Sequence, residues 1–193
     1  MSILIAVPTF ESVKTDTYLA LWSLDRAGQD ARLAIVKGYD CAIARTEIAR
    51  RAVAGGHSHV LMVDSDTVPP PDALANLLGD GHDVCLGYYV RRGHRTQTAV
   101  QRLDGDPFHV GELQDMAERG EAAVRAKCGG LGCALIKSDV FRRIAQPWFR
   151  YEQYGNGSAL SEDYWFCRAC REAGIPIYVD TRVRCRHVVE QVL

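Results

Sequence analysis

Val60-Leu61-Met62-Val63-Asp64-Ser65-Asp66 is the stretch on which the reading of this chain turns. Four consecutive apolar residues match a strand buried on both faces, and two carboxylates follow at its end. Downstream, Pro69, Pro70 and Pro71 start a helix through Leu74, Leu77 and Leu78 that stops at Gly79, and Val84 to Val90 reads as the next strand. Upstream, the same alternation recurs. Ile3 to Val7 is a strand, and Thr17 to Ala27 is a helix with Leu19, Leu21, Trp22 and Leu24 apolar and Gly28 past its end. Leu33 to Val36 is a strand. Cys41 to Ala54 is a helix capped by Asp40, lined by Ile48, Ala49, Ala52 and Val53, and ended by Gly55. Such alternation predicts an α/β fold with a mainly parallel central sheet flanked by helices. Ligands in these sheets gather beyond the carboxyl ends of the strands, where Asp64 and Asp66 fall.

The rest of the chain is less regular. Residues 91–126 are polar, with Asp104-Gly105-Asp106-Pro107 as a hairpin turn. Gly129 to Gly132 is a tight loop before a strand at Ala134-Leu135-Ile136 and a short helix from Ser138. Tyr151 to Ala159 reads as a mobile loop, Ser161 caps a helix through Ala173, and Ile175 to Val179 is the last strand.

Composition narrows the class. At 193 residues the chain is sized for one domain, and 47% hydrophobic with 24% charged residues suits a folded enzyme rather than a disordered segment. A net charge of 23 − 24 = −1 gives no general attraction for nucleic acid or acidic membrane. No apolar run approaches the ~18 residues of a membrane span. Seven cysteines, an odd number at low density, suggest reduced thiols and a cytoplasmic protein. The turn after the first strand, Pro8-Thr9-Phe10-Glu11, lacks the glycines of the dinucleotide fingerprint and the P-loop. A nucleotide diphosphate would need a metal or arginine instead.

Asp64-Ser65-Asp66 can hold a hard divalent cation, or simply cap the following turn. Ser161-Glu162-Asp163 is what any helix start prefers, or it presents one carboxylate to a cleft as a general base. These residues fall into a larger pattern. Ile5-Ala6-Val7-Pro8-Thr9, Ala44-Arg45-Thr46-Glu47-Ile48-Ala49 and Val60 to Asp66 come first. Gly130-Leu131-Gly132-Cys133-Ala134-Leu135-Ile136, Pro147-Trp148-Phe149, Ser161 to Phe166, and Asp180 with His187 follow in order. Together they resemble the family 2 glycosyltransferases of the GT-A fold over essentially the whole chain.

That resemblance implies a transferase using a nucleotide-diphosphate sugar, inverting, and dependent on Mn²⁺ or Mg²⁺. It implies one domain, 1–193, with a nucleotide-sugar half at 1–90 and an acceptor and catalytic half at 91–193. Pro8, Thr9, Glu11, Asp40 and Ser65 would contact the donor, and Arg45 would meet its diphosphate. Asp64, Asp66 and His187 would be the metal residues, Asp64 also serving the donor. Gly130, Leu131, Gly132 and Trp148 would lie at the acceptor, Asp163 would be the base, and Glu162 its partner. The acceptor is open: a glycan, a small molecule, or hydroxymethylated bases of viral DNA. Rival classes are a sugar-nucleotide nucleotidyltransferase, which needs a glycine-rich basic turn after its first strand, and a binding module without catalysis.

Two patterns stand outside this assignment. Cys167-x₂-Cys170-x₁₄-Cys185-x-His187 has zinc-like spacing, but Cys170 falls on the apolar helix face with Phe166 and Ala173, and packed free thiols are the simpler reading. Arg91, Arg92, His94, Arg95 and Arg102 form one basic stretch, by default a solvated face, otherwise a phosphate contact to the acceptor. Trp148 and Phe149 read as core in their own right, and Tyr151 and Tyr154 as surface.

Overall fold

Strand β1 (Ser2–Thr9) is buried from Ile3 onward, as a continuous apolar run requires. In this computed structural model, which describes residues 1–38, 40–155 and 157–188, β1 lies within a seven-stranded sheet. The chain continues through α1 (Thr15–Trp22), β2 (Asp30–Lys37), α2 (Cys41–Ala54), β3 (His59–Val63), β4 (Thr67–Val68), α3 (Ala73–Gly79) and β5 (Val84–Tyr88). Next come β6 (Gln97–Gln101), β7 (Pro107–His109), α4 (Val110–Glu118), β8 (Ala123–Ala126), β9 (Cys133–Lys137) and α5 (Val140–Arg143). The chain closes with β10 (Glu152–Gln153), β11 (Ala159–Leu160), α6 (Glu162–Glu172), β12 (Ile177–Arg184) and β13 (Arg186–His187).

Sheet order is β2-β1-β3-β9-β5-β12-β8. Strands β2, β1, β3, β5 and β12 run one way, while β9 and β8 oppose their neighbours. The mainly parallel α/β architecture is the expected one. The insertion of β9 between β3 and β5 was not expected, because its apolar run reads like any central strand.

Side chains alternate across the sheet and make two cores. Leu4 and Ala6 join Val60, Met62, Ala134 and Ile136 with residues of α2 and α6, whereas Ile3, Ile5 and Val7 join Leu61, Val63 and Leu135 with residues of α1 and α3. Helix α2 keeps the expected bounds: the Asp40 carboxylate accepts the Ile43 N–H at 2.7 Å, and Gly55 ends it. Helix α6 begins at the expected Ser161 cap, whose hydroxyl accepts the Tyr164 N–H at 3.4 Å.

Several expected elements change. Helix α1 stops at Trp22 because the Ser23 hydroxyl donates back to the Leu19 and Ala20 carbonyls and the Asp25 N–H turns to Pro71 O. Leu19 and Trp22 are exposed, and only Leu21 and Leu24 of that apolar set enter the core. Strand β5 ends at Tyr88, leaving Val90 a single bridge to Thr98, and the last long strand runs to Arg184. The Asp104–Pro107 turn does close a hairpin, β6 with β7. The surrounding segment is not a free surface, since Val100, Phe108, Val110 and Leu113 are buried. Of the segment expected to be a mobile loop, in which residue 156 lies outside the described residues, β10 pairs with β11. Glu152 of β10 is held by Arg150 at 3.0 Å and by Arg168 of α6 at 2.9 Å. Among the described residues no helix is long and apolar enough to cross a membrane.

Candidate active site

Strand β3 delivers Asp64 to the sheet edge, where its N–H donates to Gly132 O at 3.0 Å and its carbonyl accepts the Thr67 N–H. The resulting tight turn presents Ser65 and Asp66. Strand β4 then pairs with β13, setting His187 opposite Thr67, and the Val188 N–H donates to Asp66 O at 2.8 Å. That short ribbon brings His187 Nε2 to 3.5 Å from Asp66 Oδ2. Burial opposes ionisation of Asp66, but His187 and Arg92 outweigh it and hold its carboxyl below the usual range.

Behind this turn lies a buried charge cluster. Arg45 sits on the inner face of α2, at helical spacing from Ala42, Ile48, Ala49 and Ala52, and is 1% exposed. Its Nη2 donates to Asp64 Oδ1 at 2.9 Å, while its Nε lies 3.5 Å from Glu162 Oε1 and 3.2 Å from Asp163 Oδ1. Burial disfavours the guanidinium charge, yet Asp64, Asp163 and Glu162 together push its pKa well above the ordinary value. The side chain expected to meet a diphosphate is instead found as an inner counter-ion here, enclosed by Asp64, Glu162 and Asp163.

Glu162 and Asp163 occupy the first turn of α6 but differ in surroundings. Glu162 is 6% exposed and hydrogen-bonded by Tyr151. The Asp163 side chain is 17% exposed, its Oδ1 has no hydrogen-bond partner, and the Leu131 backbone bonds the carboxylate. Burial, with Glu162 and Asp64 adding to it, pushes its pKa up to about 7 against the pull of Arg45.

The glycine loop is packed by a residue that sequence reasoning missed. Tyr89 is buried, its hydroxyl accepts the Gly132 N–H at 3.3 Å, and its ring centre lies 5.3 Å from that of His187. A Cβ at Gly130 or Gly132 would collide with the Tyr89 hydroxyl or ring. Its place just past the carboxyl end of a strand was the available signal. Gly130→Ala is thus expected to cost about 1–3 kcal/mol by overpacking. Tyr89→Phe should restore part of that loss by removing the oxygen, and urea unfolding of both single variants and the double variant measures the coupling. Additive losses would show that the two residues do not touch as described.

The expected donor residues are only partly gathered. Glu11 lines a cleft of about 420 Å³ with Phe10, Lys37 and Gly38, where β1 and β2 end. Pro8 and Thr9 are buried, and the Thr9 hydroxyl donates to Ser12 O at 2.6 Å, so these two shape the turn rather than line that cleft. Asp40 caps α2 yet also borders a groove of about 610 Å³ running to Arg150 and Tyr151. Ser65 is half-buried in the Asp64 turn, and Trp148 is in the core against Phe141, not on an acceptor surface.

The three expected metal residues do not converge: among the described residues no three His, Cys, Asp or Glu side chains form a metal-binding group. Asp64 faces Arg45 instead. Asp66 and His187 do face each other, and the buried His187 Nδ1 has no hydrogen-bond partner. A pair of protein ligands suits Mg²⁺ or Mn²⁺, which take substrate phosphates and water at their other positions. The cysteines with zinc-like spacing are packed free thiols, as the simpler reading has it: Cys167 and Cys170 lie in one core and Cys185 in the other.

The fold is that of the GT-A glycosyltransferases. The chain belongs to the family Glycosyltransferase like family 2, whose profile matches residues 4–192. Among solved structures it is similar to A197 from STIV, with a TM-score of 0.66 and 19% identity over 98% of this chain and 87% of that one. It is also similar to GalNAc-T7, solved with UDP, GalNAc and Mn²⁺, with a TM-score of 0.59 and 9% identity over 100% of this chain and 44% of that one. No curated protein matches.

Proposed function

We propose that this glycosyltransferase moves a sugar from a nucleotide-diphosphate donor to an acceptor hydroxyl with inversion, and that Asp163 takes the acceptor proton. The observation that carries this reading is the state of Asp163: a largely buried but partly open carboxylate of raised pKa, its Oδ1 turned to Arg45, beside the Gly130-Leu131-Gly132 loop. The acceptor oxygen bonds to the anomeric carbon as the bond from that carbon to the diphosphate breaks, and its proton passes to Asp163. The nucleoside diphosphate leaves with the bonding pair.

The donor's base and ribose fit the Glu11 and Lys37 cleft, with Asp40 and Ser65 as further polar contacts and Pro8 and Thr9 setting the turn. On this reading residues 1–90 serve the donor and 91–193 the acceptor and the chemistry. Asp66 and His187 would hold a Mn²⁺ or Mg²⁺ ion, which supplies positive charge to the departing diphosphate. The UDP, GalNAc and Mn²⁺ in the GalNAc-T7 structure support both donor class and metal. Seven free thiols support a cytoplasmic setting.

A panel of nucleotide sugars, screened by thermal shift with Mn²⁺ and again with EDTA, tests the donor. One nucleotide class should stabilise the protein only with metal. Asp66→Ala should abolish that shift, and without ligand it should lower the melting temperature only modestly, through loss of the pairing with His187 and exposed Arg92. Equal binding of the nucleotide with and without metal overturns the metal assignment.

A further inference from the structure

Strands β5 and β12 are parallel neighbours and end side by side: Arg184 pairs with Tyr88, and the Cys185 N–H donates to Tyr88 O at 2.8 Å. The chain leaving β5 folds into a tight turn, with the His94 N–H on Arg91 O at 3.0 Å and Gly93 at a φ of 78°. The sheet thereby brings together two basic segments remote in sequence. Arg91, Arg92, His94, Arg184, Arg186 and His187 line one cleft of about 680 Å³.

Part of this charge is answered locally. Arg92 pairs with Asp66, and Arg186 lies 4.0 Å from Asp16. Arg91 and Arg184 are exposed, and among the described residues neither has a carboxylate in ion-pair distance. Holding uncompensated guanidinium groups beside others costs repulsion, and in a chain of net charge −1 it does not follow from general basicity. A planar guanidinium fork matches phosphate oxygens in charge and geometry. The far end of this cleft is separated from the donor's base: Arg184 ends β12, four strand spacings from β1, about 19 Å at ~4.8 Å each. The near end reaches Asp66 through Arg92 and His187.

We propose that this cleft is a phosphate-binding subsite that seats a phosphate carried by the acceptor, across Asp66 from the nucleotide end. The proposal rests on the donor reading above for its orientation, whereas the phosphate site itself rests on the arginines alone.

Inorganic phosphate titrated into the full chain at low salt, followed by calorimetry, tests it. One titration is run alone and one with Mn²⁺ and a saturating nucleoside diphosphate chosen from UDP, GDP, ADP and CDP. Phosphate should bind under both conditions, and Arg91→Gln with Arg184→Gln should weaken it about tenfold per arginine. Nucleoside diphosphate affinity should stay the same in that double variant. Competition between phosphate and the nucleotide would overturn the proposal by assigning the cleft to the donor's diphosphate. Phosphate affinity unchanged in the double variant would overturn it by placing the anion elsewhere. If no nucleotide binds but phosphate binding still depends on both arginines, the donor reading fails and the subsite stands. Glycerol phosphate and a short thymidine oligonucleotide then distinguish the source. Equal binding assigns a phosphomonoester, and tighter, more salt-dependent binding of the oligonucleotide assigns a polynucleotide backbone.

Discussion

Asp163→Asn is expected to lower turnover about 10²–10⁴-fold while donor affinity holds. The amide keeps almost the same shape and can still accept the Leu131 hydrogen bond, but it cannot take a proton. Were Asp163 only a first-turn acid, its replacement would cost about 0.3–1 kcal/mol of stability and spare turnover. Glu162→Gln is the control, because Glu162 shares the helix start but is more deeply buried and bonded by Tyr151. Near-normal turnover of the Asp163 variant, with donor saturated, would remove this residue from the mechanism. An inactive Glu162→Gln beside an active Asp163→Asn would move the base one residue earlier.

The same assignment fixes a pH dependence. Burial, helped by Glu162 and Asp64, raises the Asp163 pKa to about 7. A base acts in its ionised form, so kcat of the parent should rise with pH through about 7, and the asparagine variant should lose that limb. Stability runs the other way. The folded pKa lies above the ordinary 3.8, so the folded state binds this proton more tightly. The stability it contributes is full below that ordinary value and lost as pH rises through about 7. Activity and stability should therefore change in opposite directions over one pH window.

What the sequence made legible was local. Asp40 and Gly55 bracket α2, Ser161 opens α6, and the run from Val60 into Asp64 marks a central strand end, because each signal lies within a few residues of its effect. Helix α4 was not legible, since it buries only Val110 and Leu113 and so shows too sparse a stripe. The place of β9 was not legible either, because order in a sheet is decided by long-range pairing. Within the site, Asp66 and His187 were each visible as candidates, but their meeting depends on the β4–β13 ribbon. Arg45 was read outward as a diphosphate contact. Its spacing with Ala42, Ile48 and Ala49 already placed it on the buried face, where a cation needs carboxylates. The basic cleft needed the structure, because Arg91 and Arg184 meet only through the pairing of β5 with β12.

Arg45→Met should produce the largest loss of stability, about 3–5 kcal/mol near neutral pH. The apolar side chain can fill much of the same space but leaves Asp64, Glu162 and Asp163 facing one another without their shared cation. Asp64 retains the most solvent, with 27% of its side chain exposed, so it contributes least to the penalty. Removing the guanidinium also raises the carboxyl pKa values, and protonation then relieves the repulsion. The loss should accordingly shrink as pH falls, and urea unfolding at pH values of about 5 and 8 would show the difference. Arg45→Lys keeps the charge but presents one compact ammonium where the guanidinium reaches Asp64 through Nη2 and the α6 carboxylates through Nε. It should fall between the parent and Arg45→Met. A loss for Arg45→Met below about 1 kcal/mol, equal at both pH values, would mean that the carboxylates are stabilised by solvent instead. The inner counter-ion role would then be untenable.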